Sequence, residues 1–204
     1  MRGFFITFEG IDGSGKTTQA EILAYRLKGT GLQVTLTREP GNIFRELLLH
    51  SSKVVPTAEL FLFMADRAQH TETTIRPALS QGRIVLCDRY ADSTVAYQGY
   101  GRGMDLELIH TLNRAATSGL VPDLTVLLDL PPKIALMRKA SGDRFEGEGL
   151  DFLRKVREGY LKLARAEPGR FTVVDGTGAE DKVAERIWEV VKRRFNPDRG
   201  EDHG

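Results

Sequence analysis

The sequence predicts an α/β protein built on a five-stranded parallel sheet with helices on both faces. Three observations carry that expectation. Five short β-rich apolar runs alternate with segments of helical periodicity. The first run enters a glycine loop that opens into a helix. The 204 residues, 41% hydrophobic and 28% charged, match the averages of soluble globular proteins. Residues 1–195 are expected to form a single domain, followed by a disordered polar tail over 196–204.

Phe4-Phe5-Ile6-Thr7-Phe8 reads as a buried strand ending at Glu9-Gly10. Ala20, Leu23, Ala24 and Leu27 recur at helical spacing, Gly29 and Gly31 punctuate the helix end, and Gln33 to Thr37 forms a second strand. A helical region follows from about Thr57 to Leu79, then a strand Ile84 to Cys87, helices through the 90s, and a helix from about Leu106 to Thr117. Leu124 to Leu130 is the fourth strand. Pro131-Pro132 ends it and starts a short helix over Ile134 to Lys139. Residues 140–149 are glycine-rich, charged and without periodicity, so a mobile lid is expected there. Leu153, Val156, Tyr160 and Leu163 restart a helix, Phe171 to Val174 is the fifth strand, and Val183, Ile187, Val190 and Val191 mark the last helix.

Composition excludes several function classes. With 29 Lys plus Arg against 28 Asp plus Glu, the net charge of +1 gives no global pull on a polyanion, so no nucleic-acid partner is expected. The single cysteine, Cys87, cannot form an internal disulfide, and no His/Cys spacing suits a metal. Apolar stretches stay far below the roughly 18 residues of a membrane span, and the N-terminus lacks a signal-peptide hydrophobic region. The expectation is a cytoplasmic protein with no membrane partner.

Gly10-Ile11-Asp12-Gly13-Ser14-Gly15-Lys16-Thr17 matches G-x-x-x-x-G-K-[ST] between a strand and a helix, the context that confirms a Walker A phosphate loop. Four fixed positions match by chance in about one chain in a hundred of this length. Glycines let backbone N–H groups wrap a phosphate, and the helix N-terminus adds a favourable field. Lys16 reaches the outer phosphates, and the Thr17 hydroxyl suits Mg²⁺. Gly10 through Thr18 are therefore the candidate nucleotide-binding residues. A GTPase switch would need N-K-x-D and D-x-x-G stretches, and neither is present. Instead the third strand ends in Asp88-Arg89-Tyr90 and the second in Thr37-Arg38-Glu39-Pro40-Gly41. Two arginines thus reach the carboxyl edge of the sheet beside the triphosphate, which suits a phosphorylated acceptor.

Together with Ser93-Thr94, Ala96-Tyr97-Gln98-Gly99, Pro122-Asp123-Leu124-Thr125, Leu128-Asp129 and Asp143-Arg144-Phe145-Glu146, these motifs resemble the bacterial thymidylate kinase family over about Phe4 to Phe195. The resemblance implies a P-loop NTPase fold, ATP as donor, dTMP as acceptor, Mg²⁺, and a homodimer. It implies catalytic roles for Lys16, Arg89, Asp12 and Arg144, and a metal site at Thr17 and Asp88. Asp12 matches the carboxylate that bonds the acceptor 3′-hydroxyl, and Arg38 and Arg89 match the groups holding the dTMP phosphate. Phe63 matches the base-stacking ring, Arg67 the arginine reading thymine O4, Thr94 the N3 side, and Tyr97 the ring that leaves no room for a 2′-hydroxyl. Gln98 completes the substrate-binding set. Arg144, with Arg138 and Lys139 beside it, falls on the loop that supplies transition-state charge in the bacterial type.

The chain departs from the family where Arg-Glu-Pro-Gly-Gly-Thr is usual. It reads Arg38-Glu39-Pro40-Gly41-Asn42-Ile43-Phe44-Arg45, shorter and without the second glycine. Cys87 reads as an inert core residue, the four histidines as structural or solvated, and Asp129 as an anchor for the following turn. The apolar helix around Leu60 to Met64 is the expected dimer surface. Two other readings stay open on the residues alone: a P-loop kinase for another nucleotide or a deoxynucleoside, and a P-loop switch or sensor that binds ATP without transferring phosphate.

Overall fold

The computed structural model describes residues 3–41, 44, 45, 48, 54–138 and 149–195. Among them, β1 (Phe4–Glu9), β2 (Val34–Arg38), β3 (Ile84–Asp88), β4 (Leu124–Asp129) and β5 (Phe171–Asp175) form an all-parallel sheet in the order β2-β3-β1-β4-β5. Phe8 pairs with Asp88 and Asp88 with Arg38, so the carboxyl ends of β1, β2 and β3 lie level. That alignment puts Glu9, Arg38 and Asp88 on one edge, where the strand order reverses around β1 and ligands bind in open α/β sheets.

Strand alternation explains the two covered faces. Ile6, Phe8, Ile84, Leu86, Leu124, Val126 and Leu128 pack against α1 (Lys16–Gly29) and α8 (Glu180–Arg194). Phe5, Val85 and Cys87 face the other way, toward Ile75, Ala78 and Tyr90. The remaining helices cover that second face: α2 (Pro56–His70), α3 (Arg76–Ser80), α4 (Ala91–Thr94), α5 (Leu106–Thr117) and α7 (Gly149–Ala166). The short α6 (Pro132–Arg138) follows β4.

The five strands fall within a residue of their expected bounds, and two helical regions carry a widened turn. A π-helical stretch, Thr71–Ile75, joins α2 to α3. Pro77 has no N–H to give to the residue 73 carbonyl, and the Thr73 hydroxyl donates back to Gln69 O at 2.8 Å. A second stretch, Val95–Gly101, continues α4. It packs closely on α7, where a side chain at Gly159 would meet Tyr100 Cδ2 at 2.6 Å. The expected lid over 140–149 lies outside the described residues except for Gly149, which already begins α7; the tail 196–204 lies outside them too.

Candidate functional site

Gly10–Thr17 runs from the end of β1 into α1. Gly15 caps the helix at φ 90°, and Gly13 sits at φ 78° with room only for hydrogen, because a Cβ there would meet Ala135 O at 2.6 Å. The unpaired N–H groups of the first turn therefore point at a cleft of about 830 Å³ lined by the loop, Thr17, Thr18, Arg38, Arg45, Asp88 and Arg89. Lys16 Nζ donates to Ile11 O at 2.9 Å and Ser14 Oγ at 3.4 Å. Burial, then the neighbouring Arg89 charge, bring the Lys16 pKa down to about 8. The Ile11 side chain is core, so this residue serves the loop through its backbone. The Thr17 hydroxyl donates to Asp88 Oδ2, while Asp88 Oδ1 is buried and has no hydrogen-bond partner among the described residues. A hydroxyl beside an orphaned carboxylate oxygen is a donor set that fits a hard divalent cation.

Arg89 joins this cleft to a second one. Its backbone adopts φ 72°, a left-handed conformation that costs a non-glycine residue about 1 kcal/mol or more. The N–H bond to Phe8 O at 3.0 Å holds it there. Arg89 Nη2 pairs with Asp12 Oδ1 and donates to Tyr97 Oη at 3.2 Å; Tyr97 Oη donates to Asp12 Oδ2 at 3.0 Å. Burial raises the Tyr97 pKa, so the phenol keeps its proton for that bond. Behind them Glu9 is fully buried and accepts from Tyr90 N at 2.8 Å, Ser93 Oγ at 2.6 Å and Tyr160 Oη at 2.9 Å. Burial, reinforced by Asp92, lifts the Glu9 pKa to about 7.

The second cleft spans about 510 Å³ with its open mouth included and is lined by Asp12, Glu39, Pro40, Phe63, Arg67, Arg89, Ser93, Thr94, Tyr97 and Gln98. Arg67, 1% exposed, lies at its back. Nε and Nη2 donate to Glu39 Oε2 at 2.9 and 2.7 Å, Nη2 also to Tyr90 O at 3.0 Å, and Nη1 to Thr94 Oγ1 at 2.9 Å and Asn113 Oδ1 at 2.6 Å. Those bonds use all five guanidinium N–H groups. A ligand oxygen reaching Arg67 must therefore share an N–H already in use, and Glu39 and Thr94 are the partners that also line the cleft.

Asp12, Lys16, Thr17, Thr18, Arg38, Asp88 and Arg89 thus gather on the phosphate side, and Phe63, Arg67, Thr94, Tyr97 and Gln98 on the other. Arg144 and Lys139 lie outside the described residues; Arg138 ends α6 and donates to Gly176 O at 3.2 Å. Asp129 pairs with Arg157 at 2.6 Å, and His70 stands between Glu39 and Thr37. The apolar side chains of the helix expected to carry the dimer surface divide between two faces. Leu60 and Met64 are buried, because the helical period turns them inward with Arg67, and of that stretch Phe61 is the strongly exposed side chain. Sequence reading assigned no roles to Glu9, Glu39, Glu59 and Asn113. Glu59 had a signal: it precedes Phe63 and Arg67 by four and eight residues, on the same helical stripe.

The family model described as Thymidylate kinase matches residues 8–187. A thymidylate kinase of Synechococcus sp. (strain JA-3-3Ab) is 52% identical over 196 residues, covering 94% of this chain and 96% of the relative. One from Solidesulfovibrio magneticus is 51% identical over 204 residues, covering 92% and 98%. The crystal structure of the Ehrlichia chaffeensis thymidylate kinase matches with a TM-score of 0.79 at 36% identity, over 94% of this chain and 100% of that one.

Proposed function

The chain belongs to the thymidylate kinase family, and from that membership we propose how its own residues carry out the reaction. The enzyme transfers the γ-phosphoryl group of ATP to dTMP, giving dTDP for nucleotide biosynthesis. The observation that carries the residue assignment is that the two clefts share Asp12, Glu39, Pro40 and Arg89. A donor phosphate on the loop and an acceptor phosphate at Arg89 would then meet at one wall.

The loop amides from Gly10 to Gly15, with Lys16, Thr17 and Thr18, hold the ATP phosphates. Arg89 and Arg38 hold the acceptor phosphate, Asp12 takes the 3′-hydroxyl, and Tyr97 closes the space beside the sugar 2′-position. Phe63 stacks on the base, while Thr94, Gln98 and Arg67 meet its polar edge. Thr17 and Asp88 would hold Mg²⁺, which when bound neutralises phosphate charge. Positioning and charge supply most of the acceleration, from Lys16 and Arg89 and, as the family resemblance implies, from the charge of Arg144.

The proposal includes one catalytic domain over 1–195, a cytoplasmic location and a homodimer. Among the described residues no helix is long and apolar enough to cross a membrane. Phe61 on α2 and Leu108 on α5, 54% and 47% exposed, give apolar surface on neighbouring helices. Sedimentation should give twice the 22.7 kDa chain mass; a monomer at micromolar concentration removes the dimer. The reaction is tested by ATP- and Mg²⁺-dependent ADP release with equal concentrations of dTMP, dUMP, dCMP, AMP, GMP and thymidine. Turnover should be strongest with dTMP. Preference for another acceptor would discard the base-pocket assignments, and nucleotide binding without acceptor-dependent turnover would contradict the reaction.

A further inference from the structure

Glu59, Phe63 and Arg67 follow one another down one stripe of α2. Phe63 and Arg67 line the base cleft; Glu59 is fully buried and lies behind it. Glu59 Oε1 accepts from Gln98 Nε2 at 2.9 Å and from Arg102 Nε at 3.1 Å, and Oε2 accepts from Arg102 Nη2 at 3.3 Å. A carboxylate clamped by a guanidinium offers acceptors only. The amide of Gln98 has a donor end and an acceptor end, and its neighbours decide which way it turns. Here the choice is forced. The reverse orientation would set Gln98 Oε1 against a carboxylate oxygen in a buried site, which is costly at low local dielectric.

Gln98 therefore turns its N–H₂ away from the cleft it lines, leaving Oε1 as the end the cleft receives. Among the described residues that oxygen accepts no hydrogen bond. Thr94, one helical turn earlier, accepts from Arg67 and keeps its own hydroxyl proton to donate. The cleft thus sets an acceptor beside donors. Thymine presents the complement, an N3–H donor beside the O4 acceptor, whereas cytosine reverses both, with an N4 donor beside an N3 acceptor.

We propose that Glu59 is a specificity-determining positioning residue, which fixes the amide orientation of Gln98 so that the cleft accepts a proton from base N3 and selects imide pyrimidines over amino pyrimidines. This rests on the base-pocket assignment above. Arg102 supports the clamp from the other side, its guanidinium 5.6 Å over the Phe152 ring. Glu59 does not line the cleft and reaches the base through Gln98.

The test is kcat/KM for dTMP, dCMP and dUMP in the wild type, Glu59→Leu and Gln98→Met. dUMP shares the imide of dTMP and lacks only the methyl group, so it isolates general damage to the pocket from loss of imide reading. In Glu59→Leu the dTMP-to-dCMP ratio should fall about ten-fold or more. The change should appear in KM rather than kcat, with the dTMP-to-dUMP ratio held. If Glu59→Leu shows no cooperative melting, Glu59→Gln carries the test. Its amide can offer N–H₂ to Gln98 and let that side chain turn over, so the ratio should fall about three-fold or more. An unchanged dTMP-to-dCMP ratio in a folded Glu59 variant overturns the proposal, as does a fall confined to kcat or shared equally by dUMP. Gln98→Met separates the two levels. If it leaves the ratio intact the base-pocket assignment itself has failed, whereas if it collapses the ratio and Glu59 variants do not, only the role of Glu59 is lost.

Discussion

The two clefts that meet at Arg89 are built on opposite plans. In the cleft proposed for the base the donors are buried and partnered: Arg67 spends all five N–H groups on Glu39, Tyr90, Thr94 and Asn113, and Glu59 holds the Gln98 amide N–H₂. In the cleft proposed for the phosphates Arg38 is exposed, Lys16 is turned back onto its own loop, and Asp88 Oδ1 has no hydrogen-bond partner among the described residues. The difference separates two tasks. A base is recognised by a fixed pattern of donors and acceptors, so its groups are locked by the fold before the ligand enters. Phosphates are recognised by charge, and the groups that meet them remain poorly satisfied until a nucleotide completes the site.

On the phosphate side activity and stability should move in opposite directions. Lys16→Met should lower kcat/KM by about 10³-fold, the scale of one lost transition-state contact, and should raise the melting temperature at pH 7. The sign follows from linkage. The folded-state pKa of about 8 lies below the ordinary 10.5, so the buried charge weakens the fold below pH 8, and that penalty fades as pH rises from 8 to 10.5. A fall in both quantities would erase the contrast. Next in size, Arg144→Ala should lower kcat ten-fold or more without shifting the melting curve. An unchanged kcat removes Arg144 from the catalytic set.

A smaller effect concerns pH. Triphosphate binding restores the Lys16 charge, so binding near pH 9 should take up close to one proton, and ATP affinity should weaken above pH 8 by up to about ten-fold per unit. Calorimetry in buffers of different ionisation enthalpy reads the uptake, and Lys16→Arg should abolish it. The smallest effect belongs to Glu9. Its folded pKa of about 7 lies above the ordinary 4.5, so its contribution to stability is full below pH 4.5 and is lost as pH rises to 7. Urea titrations should show the wild type losing stability relative to Glu9→Gln across that window. A constant difference between them contradicts the assigned shift.

What the sequence made legible was local. The glycine loop, the strand bounds and Asp88-Arg89-Tyr90 depend on neighbours within a few residues, and turn chemistry or periodicity reveals them. The partners of Arg67 do not. Glu39, Tyr90, Thr94 and Asn113 lie 28, 23, 27 and 46 positions away, so only the packing of α2 against α4, α5 and the end of β2 brings them together. The resemblance placed Arg67 at the base but could not show that its donors were already taken. Apolar content around Leu60 to Met64 likewise does not say which side chains face outward: Leu60 and Met64 are buried and Phe61 is exposed. The two π-helical stretches escaped because the extra residue per turn answers to Pro77 in one case and to packing against Gly159 in the other.

The most direct test of the contrast is a paired measurement on Arg67→Ala and Arg38→Ala: the melting temperature and kcat/KM for dTMP of each. Arg67→Ala leaves Glu39 buried without its guanidinium, a loss of about 3–5 kcal/mol, and should melt about 10 °C lower while losing dTMP turnover. Arg38→Ala should melt within about 2 °C of the wild type and lose activity through KM alone. Equal melting temperatures for the two variants, or an Arg38→Ala protein that unfolds early, would contradict the account of a locked base side and an open phosphate side.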